Sequence, residues 1–341
     1  MAYTTINKST DYFNTKLYTG NGSTQSINVG FQSDWTWLKS RTEAKNHILI
    51  DAVRGSDKDI NTNRTNAENT DATRITGFDS DGFNLGNSTT TNTNGQNYVS
   101  WNWKANGTGS ANTDGSINST VSANTTSGFS IVTYTGTGSN ATVGHNLGSA
   151  PKFIIVKKRS GAVSWAVQTS TGAGYEMNLD NTEAQSSTSN YWNSTDPTSS
   201  VFSIGTNGIV NESGATYVAY CFAEKTGYSK FGSYTGNGNA DGTFVYTGFK
   251  PAFVIIKKTS STQNWGMYDN KREPFNTNDA VLFPSLSNAE TSSVNYALDF
   301  VSNGFKQRAT GGQSNGSGET YIYMAFGQSL VGSNNVPCTA R

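Results

Sequence analysis

Hydrophobic residues in this chain form short runs that are separated by stretches rich in Gly, Ser, Thr and Asn. The clearest run, FIIVKKR at residues 153–159, recurs as FVIIKKT at 253–259 and, in a more divergent form, as WTWLKSR at 35–41. A continuous apolar run this short, bounded by turn residues, is typical of a strand that is buried on both faces. The basic residues that end each run predict that the strand leaves the core there and meets water, with phosphate binding as the alternative.

The sequence on either side of these runs repeats in the same order. A Tyr-Thr-Gly-x-Gly motif precedes each run and begins at Tyr18, Tyr134 and Tyr234. A strand with alternating aromatic residues follows each run and begins at Tyr98, Tyr217 and Tyr321. The second and third motifs start 100 residues apart (234 minus 134), and the first starts 116 residues before the second (134 minus 18). The chain therefore contains three copies of one unit.

A period near 100 residues exceeds the roughly 20 to 50 residues of solenoid units and favours tandem domains, each with its own small core. Short alternating strands divided by Gly and Asn turns indicate β-sandwiches or jelly rolls. The sequence thus predicts an all-β chain with three tandem β-sandwich or jelly-roll-like repeat domains, at residues 18–107, 128–227 and 228–330. The remaining predicted parts are an N-terminal arm at 1–17, a polar linker at 108–127 and a C-terminal tail at 331–341.

Composition supports a folded, turn-rich β protein. The chain holds 17 Phe, 16 Tyr and 7 Trp, and disordered sequences lack such aromatic residues. It also holds 36 Gly, which suits a protein with many turns. Two cysteines, Cys221 and Cys338, do not make a disulfide framework. Cys221 stands within an aromatic strand, so we expect it to be a small buried hydrophobe, whereas Cys338 near the C-terminus is left without an interpretation.

Charge and hydropathy exclude two classes of partner. The formal net charge is zero, so we expect no nucleic-acid partner and no attraction to an anionic membrane. The sequence has no run of about 18 apolar residues and no apolar signal-peptide core. We therefore predict no membrane insertion, and synthesis in a cytoplasm.

Motifs for a catalytic centre, a metal ion or a cofactor are missing from the sequence, so we predict no catalytic residues, no metal, no cofactor and no enzymatic activity. His47 and His145 have no second ligand at metal spacing, which favours surface or hydrogen-bonded roles. The sequence DSDG at 79–82 resembles part of a calcium loop but lacks the bidentate Glu, and an Asx-Gly turn explains it better. A scattered Ser-His-Asp triad and a polysaccharide depolymerase stay open as alternatives without a supporting motif.

Aromatic residues supply the remaining candidate contacts. Trp165 and Trp265 occupy matched places in two copies, which favours core positions. Tyr191 and Trp192 are adjacent in a polar loop and have no counterpart in the other copies. In a strand pair one of these rings would be buried and the other exposed, and an exposed Trp can stack on the C–H face of a sugar. We therefore name Tyr191 and Trp192 as a candidate glycan or receptor contact, with local packing or a subunit contact as the alternatives.

Several longer strings resemble a repeat domain found in tail fibres and other virion proteins of marine phages. They are SANTTSGFSIVTYTGTGSNATVGHNLGSAPKFIIVKKR at 122–159, DYFNTKLYTGNGSTQSINVGFQSDWTWLKSR at 11–41, ITGFDSDGFNLG at 75–86 and YVSWNWKANG at 98–107. The similarity is weakest in the third copy, where YTGFKPAFVIIKK at 246–258 carries it. The resemblance covers most of the chain and implies a non-enzymatic virion structural protein, as a tail fibre or tail-associated component involved in host attachment.

The same resemblance sets expectations for location and partners. A capsid-surface decoration or head fibre protein is one alternative, and a carbohydrate-binding module is another. The resemblance implies synthesis in a host cytoplasm and assembly onto the tail or capsid surface of the particle. Expected partners are other virion proteins, further copies of the chain in a homo-oligomer such as the trimer common in fibres, and a host-surface glycan.

Overall fold

The computed structural model of the protein describes residues 4–330. Three successive units, named repeat 1, repeat 2 and repeat 3, account for nearly all of the regular structure. Repeat 1 contains β1 (Phe13–Thr19), β2 (Gln25–Asn28), β3 (Trp35–Ser40), β4 (Ile48–Asp51), β5 (Gly55–Ile60), β6 (Asn69–Thr70), β7 (Ile75–Asp79), β8 (Gly82–Leu85) and β9 (Asn97–Trp103). Repeat 2 contains β10 (Ser110–Asn112), β11 (Ser119–Asn124), β12 (Phe129–Thr135), β13 (Ala141–Gly144), β14 (Phe153–Lys158), β15 (Ala166–Gln168), β16 (Tyr175–Asn178), β17 (Ser186–Ser187), β18 (Val201–Ile204), α1 (Gly208–Asn211) and β19 (Thr216–Phe222). Repeat 3 contains β20 (Ser229–Thr235), β21 (Phe244–Tyr246), β22 (Pro251–Lys258), β23 (Gly266–Asp269), β24 (Ala280–Val281), β25 (Thr291–Ser292), β26 (Leu298–Val301), β27 (Gly304–Gln307) and β28 (Thr320–Gly327).

Each repeat pairs a large antiparallel sheet with a small one. The large sheets have the orders β1-β9-β3-β4-β5-β6, β10-β11-β12-β19-β14-β15-β16-β17 and β20-β28-β22-β23. The small sheets are β2-β8-β7, β13-β18 and β21-β27-β26, and repeat 3 adds the pair β24-β25. Short 3-10 turns lie at Ser9–Asp11 and Val294–Tyr296. This architecture confirms the all-β prediction, and among the described residues no helix has the length and apolarity needed to cross a membrane.

The Tyr-Thr-Gly-x-Gly motif fixes the first strand of each repeat against its neighbour. The first Tyr stacks on the first Tyr of the last strand with ring centroids 5.1 Å apart, in the pairs Tyr18–Tyr98, Tyr134–Tyr217 and Tyr234–Tyr321. Its hydroxyl donates to a main-chain oxygen, which is that of Val210 at 2.7 Å in repeat 2. The next Gly has to lack a side chain, because a Cβ on Gly136 would lie 2.4 Å from the Glu212 oxygen.

A buried asparagine completes this arrangement, six residues before the last strand's Tyr. Asn211 Oδ1 accepts from the Thr137 main-chain nitrogen at 2.7 Å, and its Nδ2 donates to the Gly205 oxygen at 2.7 Å. Asn92 and Asn315 make the corresponding bonds in repeats 1 and 3. The repeated unit is thus held by the same hydrogen bonds three times.

The apolar runs form strands buried on both faces, as the pattern predicts. Every residue of β3 and β14 is buried. One face of each large sheet packs on the small sheet of the same repeat and forms that repeat's own core, around Phe83, Phe202 and Phe305. The other face packs on the other two repeats.

These second faces meet in one aromatic core shared by the three repeats. Trp35 of repeat 1 stacks on Tyr220 of repeat 2 with ring centroids 4.4 Å apart. Phe222 of repeat 2 meets Phe326 of repeat 3 at 5.9 Å, and Phe326 also lies 5.1 Å from Phe13 of repeat 1. The expectation of tandem domains that each depend on their own small core is therefore incomplete, because each repeat buries half of its large sheet against its neighbours.

The shared core also corrects the prediction that the basic run ends meet water. Lys157 and Lys257 are 0% exposed and Lys39 is 1% exposed. The lysines are enclosed because the sheet face that would have met solvent is covered by a neighbouring repeat.

The predicted linker and arm are also more ordered than expected. Within 108–127, β10 and β11 extend the large sheet of repeat 2, and β11 pairs with β12 in the register Ser119↔Tyr134. A polar sequence can add a strand in this way because pairing uses main-chain groups, with Val121 buried beneath it. In the predicted arm, β1 begins at Phe13 and Ile6 is buried in the shared core. The predicted tail at 331–341 lies outside the described residues.

Candidate functional site

The three repeats meet along three seams that repeat the same main-chain contact. At each seam the main-chain oxygen of the last residue of an apolar–basic run accepts a hydrogen bond from a main-chain nitrogen of the neighbouring repeat. The Glu68 nitrogen donates to the Arg159 oxygen at 2.9 Å, the Gln185 nitrogen to the Thr259 oxygen at 3.0 Å, and the Glu290 nitrogen to the Arg41 oxygen at 2.9 Å. Repeat 2 thus contacts repeat 1, repeat 3 contacts repeat 2 and repeat 1 contacts repeat 3, which is a closed pseudo-threefold ring. We call the seams 1–2, 2–3 and 3–1.

Seam 1–2 is filled by a buried cluster of charges. Arg54 Nε lies 2.5 Å from Asp51 Oδ2, and Arg54 Nη1 lies 3.0 Å from Glu68 Oε2. Arg159 Nε reaches the same Glu68 oxygen at 2.9 Å from the neighbouring repeat. Burial alone would lower the pKa of Arg54, but the Asp51, Tyr220 and Glu68 side chains outweigh it and raise that pKa. Arg54 therefore keeps its positive charge at physiological pH.

Seam 3–1 carries the same cluster. Arg272 Nε lies 2.6 Å from Asp269 Oδ2, and Arg272 Nη1 lies 2.9 Å from Glu290 Oε2. Arg41 Nη2 of repeat 1 lies 2.8 Å from Glu290 Oε1. Burial opposes ionisation of Glu290, yet its hydrogen bonds and charge contacts with Arg41 and Arg272 lower the pKa of its carboxyl below the ordinary value.

Seam 2–3 lacks this cluster. The four corresponding positions hold the neutral residues Thr169, Gly172, Gln185 and Thr259. The correspondence follows from spacing, since Thr169 lies 12 residues after Lys157 just as Asp51 lies 12 residues after Lys39. Gln185 and Thr259 make the same main-chain contact as the charged residues at the other seams.

Seam 2–3 also lacks a side-chain hydrogen bond that the other two seams share. Tyr220 donates its hydroxyl to Asp51 Oδ2 at 2.8 Å across seam 1–2, and Trp101 Nε1 donates to Asp269 Oδ2 at 3.1 Å across seam 3–1. The corresponding position in repeat 3 is Met324, which has no donor group. The acceptor and the donor have therefore both been replaced at this one seam.

An open groove with a volume of about 670 Å³ lies at seam 2–3, where Thr259 is shorter than the Arg residues at the corresponding positions of the other seams. Its described lining residues are Thr171, Tyr175, Gln185, Ser233, Tyr234, Thr235, Thr259 and Thr320. The corresponding space beside β12 holds about 350 Å³ and is lined in part by Arg159 and by β10 and β11. The groove at seam 2–3 is thus a consequence of a break in the pseudo-symmetry, and it is our candidate functional site.

Hydroxyl groups dominate the groove. Thr259 Oγ1 and Thr320 Oγ1 lie 2.7 Å apart, and Gln185 Nε2 donates to Thr171 Oγ1 at 2.9 Å. Tyr175 at the rim is 43% exposed. None of the described lining residues is a carboxylate, an amine or a guanidinium. This groove is suited to bind a neutral polar molecule, and it contains no pair of groups that could act as general acid and base.

The buried lysines belong to the same seams. Lys157 Nζ donates across seam 1–2 to the Thr65 oxygen at 3.0 Å, and Lys257 Nζ donates across seam 2–3 to the Thr182 oxygen at 3.3 Å. Burial lowers the pKa of Lys39, Lys157 and Lys257 from 10.5 to about 8. Each ammonium therefore carries its charge in an enclosed, hydrogen-bonded position near neutral pH.

The candidate glycan contact at Tyr191 and Trp192 requires an exposed ring, and the structure contradicts that requirement. Tyr191 is 5% exposed and Trp192 is 0% exposed, and both lie in the core of repeat 2. The expected alternation fails because the segment is a turn, in which Asn193 and Ser194 adopt positive φ values of 51° and 45°. Trp192 offers no face for a sugar, and local packing is the role that the structure supports.

The other single residues behave largely as predicted. Trp165 and Trp265 are fully buried core residues, and their Nε1 atoms donate to main-chain oxygens of the preceding repeat. His47 Nδ1 accepts from Trp37 Nε1 at 2.9 Å, and His145 Nδ1 accepts from a main-chain nitrogen at 3.2 Å, which confirms hydrogen-bonded roles. Cys221 is buried, as expected.

Candidate metal ligands are not gathered anywhere among residues 4–330. In that range no group of three or more His, Cys, Asp or Glu side chains is placed to hold a metal ion, and this includes DSDG at 79–82. Cys338 lies outside the described residues.

Sequence reasoning missed the groove, although a signal for it exists. Aligning the three copies on their buried lysines places Arg41 and Arg159 opposite Thr259. Glu68, Gln185 and Glu290 lie 29, 28 and 33 residues after those lysines (68 − 39, 185 − 157 and 290 − 257), and their shared main-chain contact shows that they correspond. Two copies keep a charge at each position and one copy loses it. This comparison becomes meaningful only once these positions are known to face one another.

Fold and groove together define an all-β protein of three sandwich repeats closed around a shared core, with one open seam. The family described as "Domain of unknown function (DUF7483)" matches residues 8–329, and the chain belongs to that family. The match spans all three repeats as one unit. No curated protein matches the chain.

Replacing Arg54 by Met tests the charged seam. The change leaves Asp51 buried without its ion-pair partner and Glu68 with Arg159 alone, and we expect the free energy of unfolding to fall by about 3–5 kcal/mol. The triple variant Asp51→Asn, Arg54→Met, Glu68→Gln removes the stranded charges and should cost less than Arg54→Met alone. Urea unfolding measures both, with exposed Arg64→Met as the control. A triple variant less stable than the single one would contradict this account of the seam.

The buried lysines predict a rise in stability on the alkaline side of neutrality. Between about pH 8 and 10.5 the folded lysines release protons that the unfolded lysines keep, so the unfolded state binds more protons and stability increases with pH. Urea unfolding between about pH 7.5 and 9.5 should show this rise, and Lys157→Met should reduce its slope by about a third. Exposed Lys16→Met should leave the slope unchanged. A flat profile in the unmodified chain would refute the prediction.

Proposed function

We propose that the chain is a non-enzymatic structural component of a phage virion, located at the tail and involved in host attachment. The observation that carries the proposal is the closed ring of three sandwiches around one aromatic core. Its large aromatic side chains are used mainly in packing, as a rigid structural unit requires. The resemblance of residues 11–41 and 122–159 to repeat domains of virion proteins supports the same interpretation.

The pseudo-threefold ring also suits the symmetry of virion parts. Fibres and their attachment sites are commonly trimeric, and here one chain already supplies three related faces. Such a chain could occupy a threefold position as a single copy, or associate further into the homo-oligomer expected from the sequence. Light scattering of the purified chain separates these two cases.

Two open sheet edges favour contacts with other virion proteins. β1 and β20 lie at the ends of their large sheets, whereas the corresponding β12 is covered by β11. Edge strands with free main-chain groups are usually protected or paired. Neighbouring proteins in the particle would provide that protection at β1 and at Ser229–Gly232 of β20, whereas Ser233, Tyr234 and Thr235 line the groove at seam 2–3.

Labelling of purified particles tests the proposal. Gold-conjugated antibodies raised against the purified chain should decorate the tail in electron micrographs, and they should reduce adsorption to host cells. Label on the head would instead support the alternative of a capsid-surface decoration. Absence of label from intact and from partly disrupted particles would contradict a virion role. Release of oligosaccharide from host polysaccharide by the chain would contradict the non-enzymatic role.

A further inference from the structure

We infer that the groove at seam 2–3 is a binding site for a neutral saccharide built from hexose or N-acetylhexosamine units. The inference rests on the proposed attachment function and names the ligand class through which attachment would occur. It uses residues other than Tyr191 and Trp192, which are buried. Three features of the groove carry it, namely its space, its hydrogen-bonding groups and its exposed aromatic ring.

The space at seam 2–3 is larger than the corresponding space beside β12. At seams 1–2 and 3–1 the paired side chains Arg159–Glu68 and Arg41–Glu290 occupy the corresponding positions. At seam 2–3 Thr259 is much shorter than the Arg side chains, Gln185 is as long as Glu but uncharged, and the groove has a volume of about 670 Å³. This value falls within the roughly 300–1,000 Å³ typical of small-molecule sites. The corresponding space beside β12, which Arg159 and the strands β10 and β11 line in part, holds about 350 Å³.

The hydrogen-bonding groups fit a ligand that is itself rich in hydroxyls. Ser233 and Thr235 are exposed along β20, and Thr320 is exposed on the adjacent β28. Each hydroxyl can donate one hydrogen bond and accept others, and the Gln185 amide offers both kinds of group. A saccharide presents the same mixture of donors and acceptors. An apolar ligand would leave these groups without partners, which costs affinity.

The charge of the groove selects among saccharides. Its described lining is neutral, so no cation compensates a carboxylate or sulfate on the ligand. Neutral units are therefore expected to bind in preference to uronic or sialic acids.

Tyr175 provides the stacking surface. Its side chain is 43% exposed at the rim of the groove, whereas Tyr234 on the opposite wall is buried and hydrogen-bonded to the Ser314 oxygen. Tyr175 is held on β16, where it pairs with Ser187 of β17. A flat aromatic ring fixed beside a row of hydroxyls can pack on the C–H face of a sugar while its hydroxyls reach the groove wall.

NMR titration of the full chain with a panel of saccharides tests the inference. The panel contains glucose, galactose, mannose and N-acetylglucosamine, their disaccharides, and glucuronic and sialic acids as anionic counterparts. We expect at least one neutral disaccharide to shift resonances of groove residues, with weaker or absent effects from the acids. Tyr175→Ala should weaken that binding by about tenfold, since stacking is lost.

A closing variant provides the sharper test. Thr259→Arg with Gln185→Glu rebuilds the ion pair that fills the other seams, so it should abolish saccharide binding while the chain stays folded by circular dichroism. The control Tyr246→Ala removes a more exposed ring, 61% exposed on β21, and should leave binding unchanged. If the closing variant does not fold, Tyr175→Ala alone decides the question.

Two outcomes overturn the inference. One is that no neutral saccharide of the panel binds, or that only the acids bind. The other is that binding persists at full strength in the closing variant or in Tyr175→Ala. Antibody label on particles together with either outcome would leave the virion role intact and reject only the groove. Saccharide binding that depends on Tyr175, without label on particles, would reject the virion role and keep the groove.

Discussion

The burial of the second face of each large sheet against the other two repeats is the constraint on which the structure depends. Trp35, Tyr220 and Phe326 come from three different repeats and all lie in one aromatic core. A single repeat would leave this apolar face in water, at a cost of about 25 cal/mol for each Å² exposed. We therefore expect the three repeats to fold as one unit, and the family match spans all of them.

The closed ring accounts for the unusual polar chemistry of the interior. Because neighbouring repeats cover the strand ends, side chains that would otherwise be solvated become enclosed, as Lys157 and Arg54 do. An enclosed charge is tolerated only when it is paired or hydrogen-bonded. Seams 1–2 and 3–1 meet this requirement with Arg–Glu and Arg–Asp contacts. At seam 2–3 the corresponding positions are neutral, and the enclosed Lys257 donates to the Thr182 oxygen. The groove at seam 2–3 accompanies this departure from pseudo-symmetry.

The sequence carries much of the fold and little of the site. The FIIV run at 153–156 and its two relatives predict strands buried on both faces, and β14 shows that burial in full. The matched positions of Trp165 and Trp265 correctly predict core residues. Local pattern does not tell what covers the second face of a sheet, and for this reason the lysines were expected in water.

Two further expectations, a linker at 108–127 and an exposed ring at Tyr191 or Trp192, were wrong for physical reasons. The polar segment 108–127 forms strands because the edge of β12 offers main-chain partners, a feature absent from the segment's own composition. Trp192 is buried because the two residues after it adopt left-handed backbone conformations, which end the alternation of a strand. The groove residues Thr259 and Gln185 gain meaning only from the ring that brings repeats 2 and 3 together.

Hydrogen exchange on a Trp35→Ala variant tests the shared core most directly. Trp35 belongs to repeat 1, and its removal leaves a cavity worth about 3–5 kcal/mol of stability where three repeats meet. The account predicts that slow amides in β14 of repeat 2 and β22 of repeat 3 lose protection by the same amount as those in β3, because the ring unfolds as one unit. Loss of protection confined to repeat 1, with β14 and β22 unchanged, would contradict it.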